Sequence, residues 1–411
     1  MKADRLLTVL VVVLFAAAAV VFLMKRGSPE APPPAAMAEP EPDSLELLVV
    51  GIEGLEISVI EEAIAEGRLP HLAGLMERGA TVEFDDLDRE TGGTLSWACL
   101  ASGAVPVPRP PGWTKEASPE DHDPLAFRPT PLWSVITEAG EPVSVVGWPG
   151  TWPAVEVSGI MVGPYGPYVM AREHGDDRTH GVRPVSELPR IDPLMMPWRN
   201  VPRVTLARFF DTEGPLGYEA LAGRNYDVLQ KAVTGDLSML GVSRYAAARF
   251  GGHLFVYLPG LSEASERFWL YWDPDLRSTA LEYVGDADYF SRMAEGLSTT
   301  VDDYYDFVDE GVGVLLGWVE DGGTVAVVSD HGYSGFEIRH GGEPALGVET
   351  HSERGLCLLA GPGVRERVRV RDASIRDVAP TIAAAAGLPA PPDAEGESLP
   401  SVLTTPRGSE D

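Results

Sequence analysis

The chain has 411 residues, of which 44% are hydrophobic, and its formal net charge at pH 7 is -30. This length and hydrophobic content allow a large buried core, and we expect one large α/β domain that carries an insertion. Such an excess of acidic residues provides no basic stripe for the phosphates of nucleic acid, so we expect no binding to a nucleic-acid duplex. A small anionic substrate would need a metal ion close by to overcome the negative field of the protein.

The first apolar segment follows a short N-terminal flank, residues 1–5. It runs from Leu6 to Met24 without a charged residue and has two basic residues on each side. A run of this length spans a bilayer as a helix, and we interpret it as a transmembrane anchor. A cleaved signal peptide is the alternative, with 36–38 as a small-residue cleavage site, but that site lies about a dozen residues beyond the apolar run. The flanking charges do not set the orientation, and we expect the domain outside the cytoplasm, in the periplasm or at the cell surface.

Both ends of the domain are flanked by segments that we do not expect to pack. Residues 25–44 contain six prolines among alanine and glutamate, a composition that favours an extended and solvated tether. Residues 405–411 are expected to form a flexible tail.

Strands and helices alternate through the rest of the chain. Four apolar runs are typical of buried strands: Leu45 to Val50, Pro142 to Gly147, Thr324 to Ser329 and Gly355 to Ala360. Four helical patterns lie between or after them: Ile57 to Glu66, Leu132 to Ala139, Val301 to Val319 and Ile375 to Ala386. This alternation predicts a mostly parallel sheet with helices on both faces, which is a three-layer α/β sandwich.

One segment interrupts the alternation. Residues 164–250 contain many prolines, aromatics and charges, with a single late amphipathic helix from Leu237 to Arg249. We interpret this segment as an inserted cap region, and we assign 45–163 and 251–404 to the core. Ligands bind at the carboxyl ends of parallel strands, so the insertion is expected to cover the site.

Metal-ligand chemistry is concentrated at predicted strand ends. Asp330 and His331 directly follow the apolar run that ends at Ser329, although a turn that ends a strand often contains Asp and Gly without any metal. Glu53 follows the first strand, and His351 precedes the strand that begins at Gly355. Carboxylate oxygen and imidazole nitrogen suit zinc or manganese, so the combination predicts a metal site.

A set of short motifs in the same order resembles the alkaline phosphatase superfamily, most closely its type I phosphodiesterase/nucleotide pyrophosphatase branch. The motifs are Val49 to Gly54, Glu66 to Leu72, Leu75 to Ala80, Trp133 to Gly140, Gly147 to Pro153, Gly159 to Val162, Tyr257 to Trp269, Ser329 to Gly332, Gly361 to Gly363, Asp377 to Ile382 and Gly387 to Pro389. They cover nearly all of the chain from Leu45 to about Leu403 except the insertion. The resemblance implies the alkaline-phosphatase-like fold and a metal-dependent hydrolase of phosphodiesters or phosphomonoesters.

The resemblance also implies two neighbouring metal ions. Glu53, Asp330 and His331 occupy the ligand positions of one ion, with Glu53 where the family has the shorter aspartate. The positions for the other ion have Ser262, Glu266 and His351, and two of these three differ from the family pattern, which has aspartate and histidine at the first two. A serine hydroxyl is a poor ligand for a divalent cation, so we expect zinc or manganese, and one ion rather than two.

The position of the nucleophile is open between neighbouring residues. The family places a threonine or serine at the start of a helix, where free backbone N–H groups favour a phosphoryl oxygen. Counting back from Ser102 and Gly103 places that position on Gly93, with Thr94 beside it. Thr94 is the candidate nucleophile if the alignment shifts by one residue, and it is a simple helix cap if it does not.

Two functions therefore remain. The first is a membrane-anchored protein of this superfamily with reduced or lost hydrolase activity, a pseudoenzyme that retains the fold for binding. The second is a fully active phosphodiesterase that attacks a phosphorylated small molecule or phosphodiester with Thr94 or with a water molecule held at the metal site.

Overall fold

The computed structural model describes residues 44–85, 93–106, 129–164, 178–196, 201, 203–282, 284–336, 349–352 and 354–404. The predicted anchor, the tether before Ser44 and the predicted tail lie outside these residues. Within the described ranges, no helix combines the length and the apolar character needed to cross a membrane.

Nine strands form one central sheet. In chain order they are β1 (Leu45–Ile52), β2 (Gly79–Asp85), β3 (Val143–Val146), β4 (Met161–Val162), β5 (Val182–Arg183), β6 (Gly252–Leu258), β7 (Val319–Ser329), β10 (Arg354–Ala360) and β11 (Val368–Ser374), while β8 (Tyr333–Phe336) and β9 (Glu349–His351) form a separate antiparallel ribbon. Across the sheet the order is β11, β2, β10, β7, β1, β6, β3, β4, β5. The carboxyl ends of β1, β6 and β7, which are parallel neighbours, therefore meet at one edge.

The sheet is mostly parallel, as predicted, with two exceptions. β10 runs antiparallel to both β2 and β7, and β5 runs antiparallel to β4. A parallel neighbour needs a long crossover, usually a helix, between the two strands. The described part of the connection from β7 to β10 is the β8–β9 ribbon instead, and the chain returns in the opposite direction.

Helices cover both faces. They are α1 (Ile57–Ala65), α2 (Pro70–Arg78), α3 (Gly93–Ser102), α4 (Leu132–Ala139), α5 (Arg224–Phe250), α6 (Gly260–Trp272), α7 (Pro274–Leu281), α8 (Ala287–Leu297), α9 (Thr300–Leu316) and α10 (Val378–Ala385). Short helical turns occupy Arg178–Gly181, Val185–Glu187, Leu188–Ile191, Asp192–Leu194, Arg203–Phe209, Gly217–Glu219 and Ile375–Asp377.

Alternate residues of the buried strands serve two separate cores. Leu48, Val50 and Ile52 of β1 pack in one core with α1, α2, α5, α6 and α9. Leu47 and Val49 point to the opposite face and pack with α3, α4 and α10. This period of two, with apolar residues on both faces, is what a covered central strand requires. The predicted three-layer α/β sandwich is confirmed.

Some predicted boundaries differ from the structure. The predicted helix from Val301 to Val319 ends at Leu316, and β7 begins at Val319 rather than at Thr324. The late helix of the insertion begins at Arg224, well before Leu237, and packs against α6, β3 and β6. The described part of residues 164–250 thus contributes to one helical layer, and its role as a cap over the site stays a prediction.

Candidate metal centre

The loop after β1 carries Glu53 to the carboxyl edge of the sheet. The backbone N–H of Glu53 donates to the carbonyl of Leu258 at the end of β6, 3.2 Å away, which extends the strand pairing by one residue. Gly54 follows with a positive φ of 85°, a conformation that favours glycine. A Cβ on Gly54 would also lie 3.0 Å from the ring of Tyr333 and 3.2 Å from Ser262 Cα, so the turn brings three segments close together.

Asp330 and His331 follow β7, the neighbour of β1 on its other side. Ser329 fixes this turn, because its Oγ donates to the carbonyl of His331 at 2.8 Å and accepts the N–H of Leu55 at 3.1 Å. The N–H of His331 donates to Asp330 Oδ1 at 3.1 Å. Both side chains are buried, with Asp330 0% and His331 3% exposed. The parallel pairing of β1 with β7 thus places these two residues beside Glu53.

Glu53, Asp330 and His331 form a compact group of possible metal ligands. One ligand atom from each lies within 4.8 Å of the other two. His331 Nδ1 is 3.1 Å from the carbonyl of Gly332, and Nε2 is 3.7 Å from Asp330 Oδ1. If Nδ1 carries the proton and donates to the carbonyl, Nε2 presents its lone pair toward Asp330. A metal-ligating histidine uses the same arrangement, in which the second nitrogen donates to an oxygen.

The electrostatics of the group also fit a cation. Burial, and after it the neighbouring negative charge of Asp330, raise the pKa of Glu53 to about 7. The hydroxyl of Tyr257 donates to Glu53 Oε2 and opposes this rise. Two carboxylates held side by side in a largely desolvated site repel one another, and a bound divalent cation would offset both their repulsion and their desolvation. The donor set of two carboxylates and one imidazole therefore fits zinc or manganese.

Of the three predicted ligands of a second ion, Ser262 and Glu266 have side chains in the described part of the structure. Ser262 is in the first turn of α6, and its Oγ lies 3.0 Å from the hydroxyl of Tyr333. Glu266 is exposed one turn further along α6. The backbone of His351 pairs with Tyr333 in the β8–β9 ribbon, and the side chain of His351 lies outside the described part of the structure. The structure thus unites Glu53, Asp330 and His331, and the roles of Glu266 and His351 stay predictions.

The predicted nucleophile lies at the start of α3. Gly93 is the first residue of this helix and Thr94 the second, and their side chains lie outside the described part of the structure. Trp97, on the next turn, positions α3 against the site. Its ring is 4.8 Å from the ring of Tyr257, and a Cβ on Gly51 of β1 would lie only 2.6 Å from it. The first turn of α3 therefore approaches the end of β1 that carries Glu53.

Two tyrosines and one glutamate belong to the site and were not predicted. Tyr257 donates to Glu53, and Tyr333 contacts Ser262. Glu263 is half-buried, and its negative charge also raises the pKa of Glu53. Tyr257 lies opposite Gly51 in the pairing of β6 with β1, so its contact with Glu53 depends on a register that no local pattern encodes.

Comparisons with known proteins give a short sequence match and several similar folds. No protein-family model matches the chain. Over 97 residues the chain is 35% identical to a 2,3-bisphosphoglycerate-independent phosphoglycerate mutase from Ruegeria pomeroyi, a match that covers 22% of this chain and only 18% of the mutase.

Three solved structures illustrate the likeness of fold. Alkaline phosphatase PafA has a TM-score of 0.46 and 11% identity, covering 89% of this chain and 100% of that chain. Murine ectonucleotide pyrophosphatase/phosphodiesterase 5 has a TM-score of 0.44 and 13% identity, covering 87% and 100%. A phosphonate monoester hydrolase from Silicibacter pomeroyi has a TM-score of 0.38 and 15% identity, covering 86% and 75%. The mostly parallel nine-stranded sheet between two helical layers agrees with the three-layer α/β sandwich predicted from the sequence, and the likeness to these solved structures is one of fold alone.

Proposed function

We propose that this chain is a membrane-anchored, extracytoplasmic protein of the type I phosphodiesterase/nucleotide pyrophosphatase branch that binds one divalent ion. Zinc or manganese is held by Glu53, Asp330 and His331, and hydrolysis of phosphoesters is reduced or lost. The observation that carries the proposal is the contrast between the two halves of the site. The first half has three candidate ligands within 4.8 Å of one another, of which Asp330 and His331 are buried and Glu53 is half-buried, whereas in the second Ser262 contacts a tyrosine and Glu266 is exposed.

The residues of the first half are held in a conformation suited to binding. Tyr257 orients Glu53, the carbonyl of Gly332 orients the His331 ring, and Ser329 fixes the turn between β7 and His331. Such supporting hydrogen bonds fix the ligands before the ion arrives. When bound, the ion would supply positive charge to the oxygens of a phosphoryl group.

The second half explains why activity should be low. A two-metal site stabilises both the attacking and the leaving oxygen of a phosphoryl transfer. Ser262 lacks a carboxylate, and its hydroxyl lies at 3.0 Å from that of Tyr333. Gly93 also provides no hydroxyl at the family's nucleophile position. What remains is a cation-binding pocket that can hold a phosphorylated small molecule without efficient turnover.

The alternative function is a fully active hydrolase in which Thr94 or water attacks a phosphodiester. The contact of Trp97 with Gly51 and Tyr257 favours it, because that contact brings the start of α3 toward the metal centre. Backbone N–H groups at a helix N-terminus favour an anionic phosphoryl oxygen. The two functions differ in the turnover number of the unmodified protein.

Restoring the family residues should raise activity. We expect the combined change Ser262→Asp, Glu266→His and Gly93→Thr to accelerate zinc- or manganese-dependent hydrolysis of an aryl phosphodiester by more than about tenfold, because a complete second metal site is worth several kcal/mol and about 1.4 kcal/mol is tenfold. Initial rates of aryl alcohol release measure the effect. The single variants serve as controls, since residues that act as one unit need not help separately.

The same assay separates the two functions. If the parent already turns over faster than about 1 per second, a typical enzyme rate, and Thr94→Ala abolishes this activity, the protein is an active hydrolase and the proposal is wrong. A parent that is slow and unaffected by Thr94→Ala supports the proposal.

The anchor should be separable from the domain. We expect removal of the residues before Ser44 to yield a soluble domain that melts cooperatively, because β1 begins at Leu45 and the N–H of Ser44 already donates to the carbonyl of Trp318. Thermal melting followed by circular dichroism measures this, with the full chain in detergent as the control. Precipitation of the shortened chain, while the full chain melts cooperatively, would contradict the assignment of residues 25–44 as a tether.

A further inference from the structure

A cavity lies away from the metal ligands, between α5, α6 and α8. Its volume is about 370 Å³, and none of its lining residues belongs to the metal centre. This volume is within the range of small-molecule sites, roughly 300 to 1,000 Å³. Of its lining residues, all of which the structure describes, one is basic, Arg267, and one is acidic, Asp286.

Arg267 is held in place by a buried amide. Its Nε donates to Asn225 Oδ1 at 2.6 Å, and Asn225 Nδ2 donates in turn to the carbonyl of Ala220 at 2.9 Å. Asn225 is only 2% exposed, so this support is rigid. Within the described part of the chain, Nε is the only nitrogen of Arg267 for which the structure shows a hydrogen bond or ion pair. The edge formed by the two terminal nitrogens therefore remains for a second, bidentate interaction with a carboxylate or a phosphate.

Aromatic rings form another side of the cavity. Tyr271 and Phe290 lie 5.7 Å apart between ring centroids, with an interplanar angle of 34°. Both are nearly buried, whereas Tyr289 in the same lining is 46% exposed. The guanidinium of Arg292 lies over the Tyr289 ring, with its Cζ 5.9 Å from the ring centroid, and the exposed part of the ring is available for contact with a planar ligand.

The acidic residue of the cavity is already engaged. Asp286 caps α8, and its Oδ1 accepts the N–H of Tyr289 at 2.9 Å. The cap and the positive end of the helix favour this position of the carboxylate. An anionic ligand can therefore reach Arg267 without displacing an ion pair.

We propose that this cavity binds a small aromatic molecule with one anionic group, a carboxylate or a phosphate. The terminal nitrogens of Arg267 bind the anion, and the ring of Tyr289 contacts the aromatic part. This site is independent of the metal centre and of the function proposed for it.

Isothermal titration of the full chain in detergent tests the proposal, with benzoate and phenyl phosphate as the two probes. We expect at least one of them to bind, and Arg267→Gln to weaken that binding by about tenfold or more, because glutamine is neutral and cannot make the charged, bidentate hydrogen bonds of the guanidinium. Tyr289→Leu should weaken it several-fold. Arg365→Gln, at an exposed arginine elsewhere on the surface, is the matched control and should bind like the parent.

Two further comparisons test whether the aromatic ring contributes to binding and whether the ligand binds in the cavity or at the metal centre. Acetate and inorganic phosphate should bind more weakly than their aromatic counterparts; equal binding would overturn the aromatic contact. With a chelator present, so that the metal centre holds no ion, Asp330→Asn should leave binding to the cavity unchanged. Loss of binding in Asp330→Asn with retention in Arg267→Gln would place the ligand at the metal centre and overturn the proposal, as would the absence of binding by both probes.

Discussion

Replacing Asp330 by alanine is expected to lower the affinity of the chain for zinc or manganese by at least about a hundredfold. Even residues that only support a metal ligand typically change the affinity by about 10 to 100-fold, and the proposal makes the fully buried Asp330 a charged ligand. His351→Ala should have a smaller effect, because its predicted partners Ser262 and Glu266 form a poorer set. Metal content after dialysis and a competition titration with a fluorescent chelator measure both.

Asp321→Ala is the matched control, since Asp321 is an exposed carboxylate on the same strand, β7. It should retain the affinity of the parent. Circular dichroism checks that each variant is folded. If His351→Ala loses the ion and Asp330→Ala retains it, the ranking of the two halves of the site is reversed, and the single-ion proposal fails with it.

The first half of this site could be predicted because each ligand lies next to an unmistakable strand. Asp330 and His331 follow β7 directly, and Glu53 follows β1. The carboxyl ends of parallel strands share one edge of the sheet, and the sequence resemblance implied that these three residues bind the same ion. The hydroxyls of Tyr257 and Tyr333 could not be placed in this way, because their contacts depend on the register between β6 and β1 and on the turn before the β8–β9 ribbon.

In the fold, too, some features follow from the local sequence and others depend on contacts between distant segments. The apolar run of β10 is evident in the sequence, but its antiparallel direction depends on the path of the chain after β7. β11 alternates valine with arginine and lies at the edge of the sheet, where exposed charges also protect against pairing with other chains. β2 follows α2 with no intervening loop, and Gly79 is both the C-cap of the helix and the first residue of the strand.

Replacing Asp236 by asparagine is expected to make the protein more stable at pH 8 and to change its stability little at pH 4. Asp236 is buried in α5, where it accepts the N–H of Gly260 and the hydroxyl of Tyr304, each at 2.9 Å. These contacts hold the start of α6, the helix that carries Ser262. A Cβ on Gly260 would lie 2.0 Å from the Tyr304 hydroxyl and 2.4 Å from Asp236 Oδ2, so only glycine fits at position 260.

Burial has the largest effect on the pKa of the Asp236 carboxyl group. It raises the pKa of the carboxyl to about 7 from the ordinary 3.8, even though both hydrogen-bond donors favour the charged form. Below pH 3.8 the carboxyl is protonated in both the folded and the unfolded state. Between 3.8 and about 7 only the folded state retains the proton, so the stability falls as the pH rises through this window. A shift of this size corresponds to several kcal/mol, at about 1.4 kcal/mol per pKa unit.

Asparagine removes this penalty and can keep both partners. Its carbonyl can accept the N–H of Gly260, and its amide can donate to the hydroxyl of Tyr304. Urea unfolding followed by tryptophan fluorescence at pH 4, 6 and 8 measures the effect, with Asp288→Asn on the exposed face of α8 as the matched control. Burial also raises the pKa of Glu53 to about 7 and that of Asp303 to about 6, so the parent and the variant both retain some decline with pH. The difference in the free energy of unfolding between the parent and the variant reports on Asp236 alone. It should grow from pH 4 to pH 8. A constant difference would show that Asp236 does not hold a proton in the folded protein.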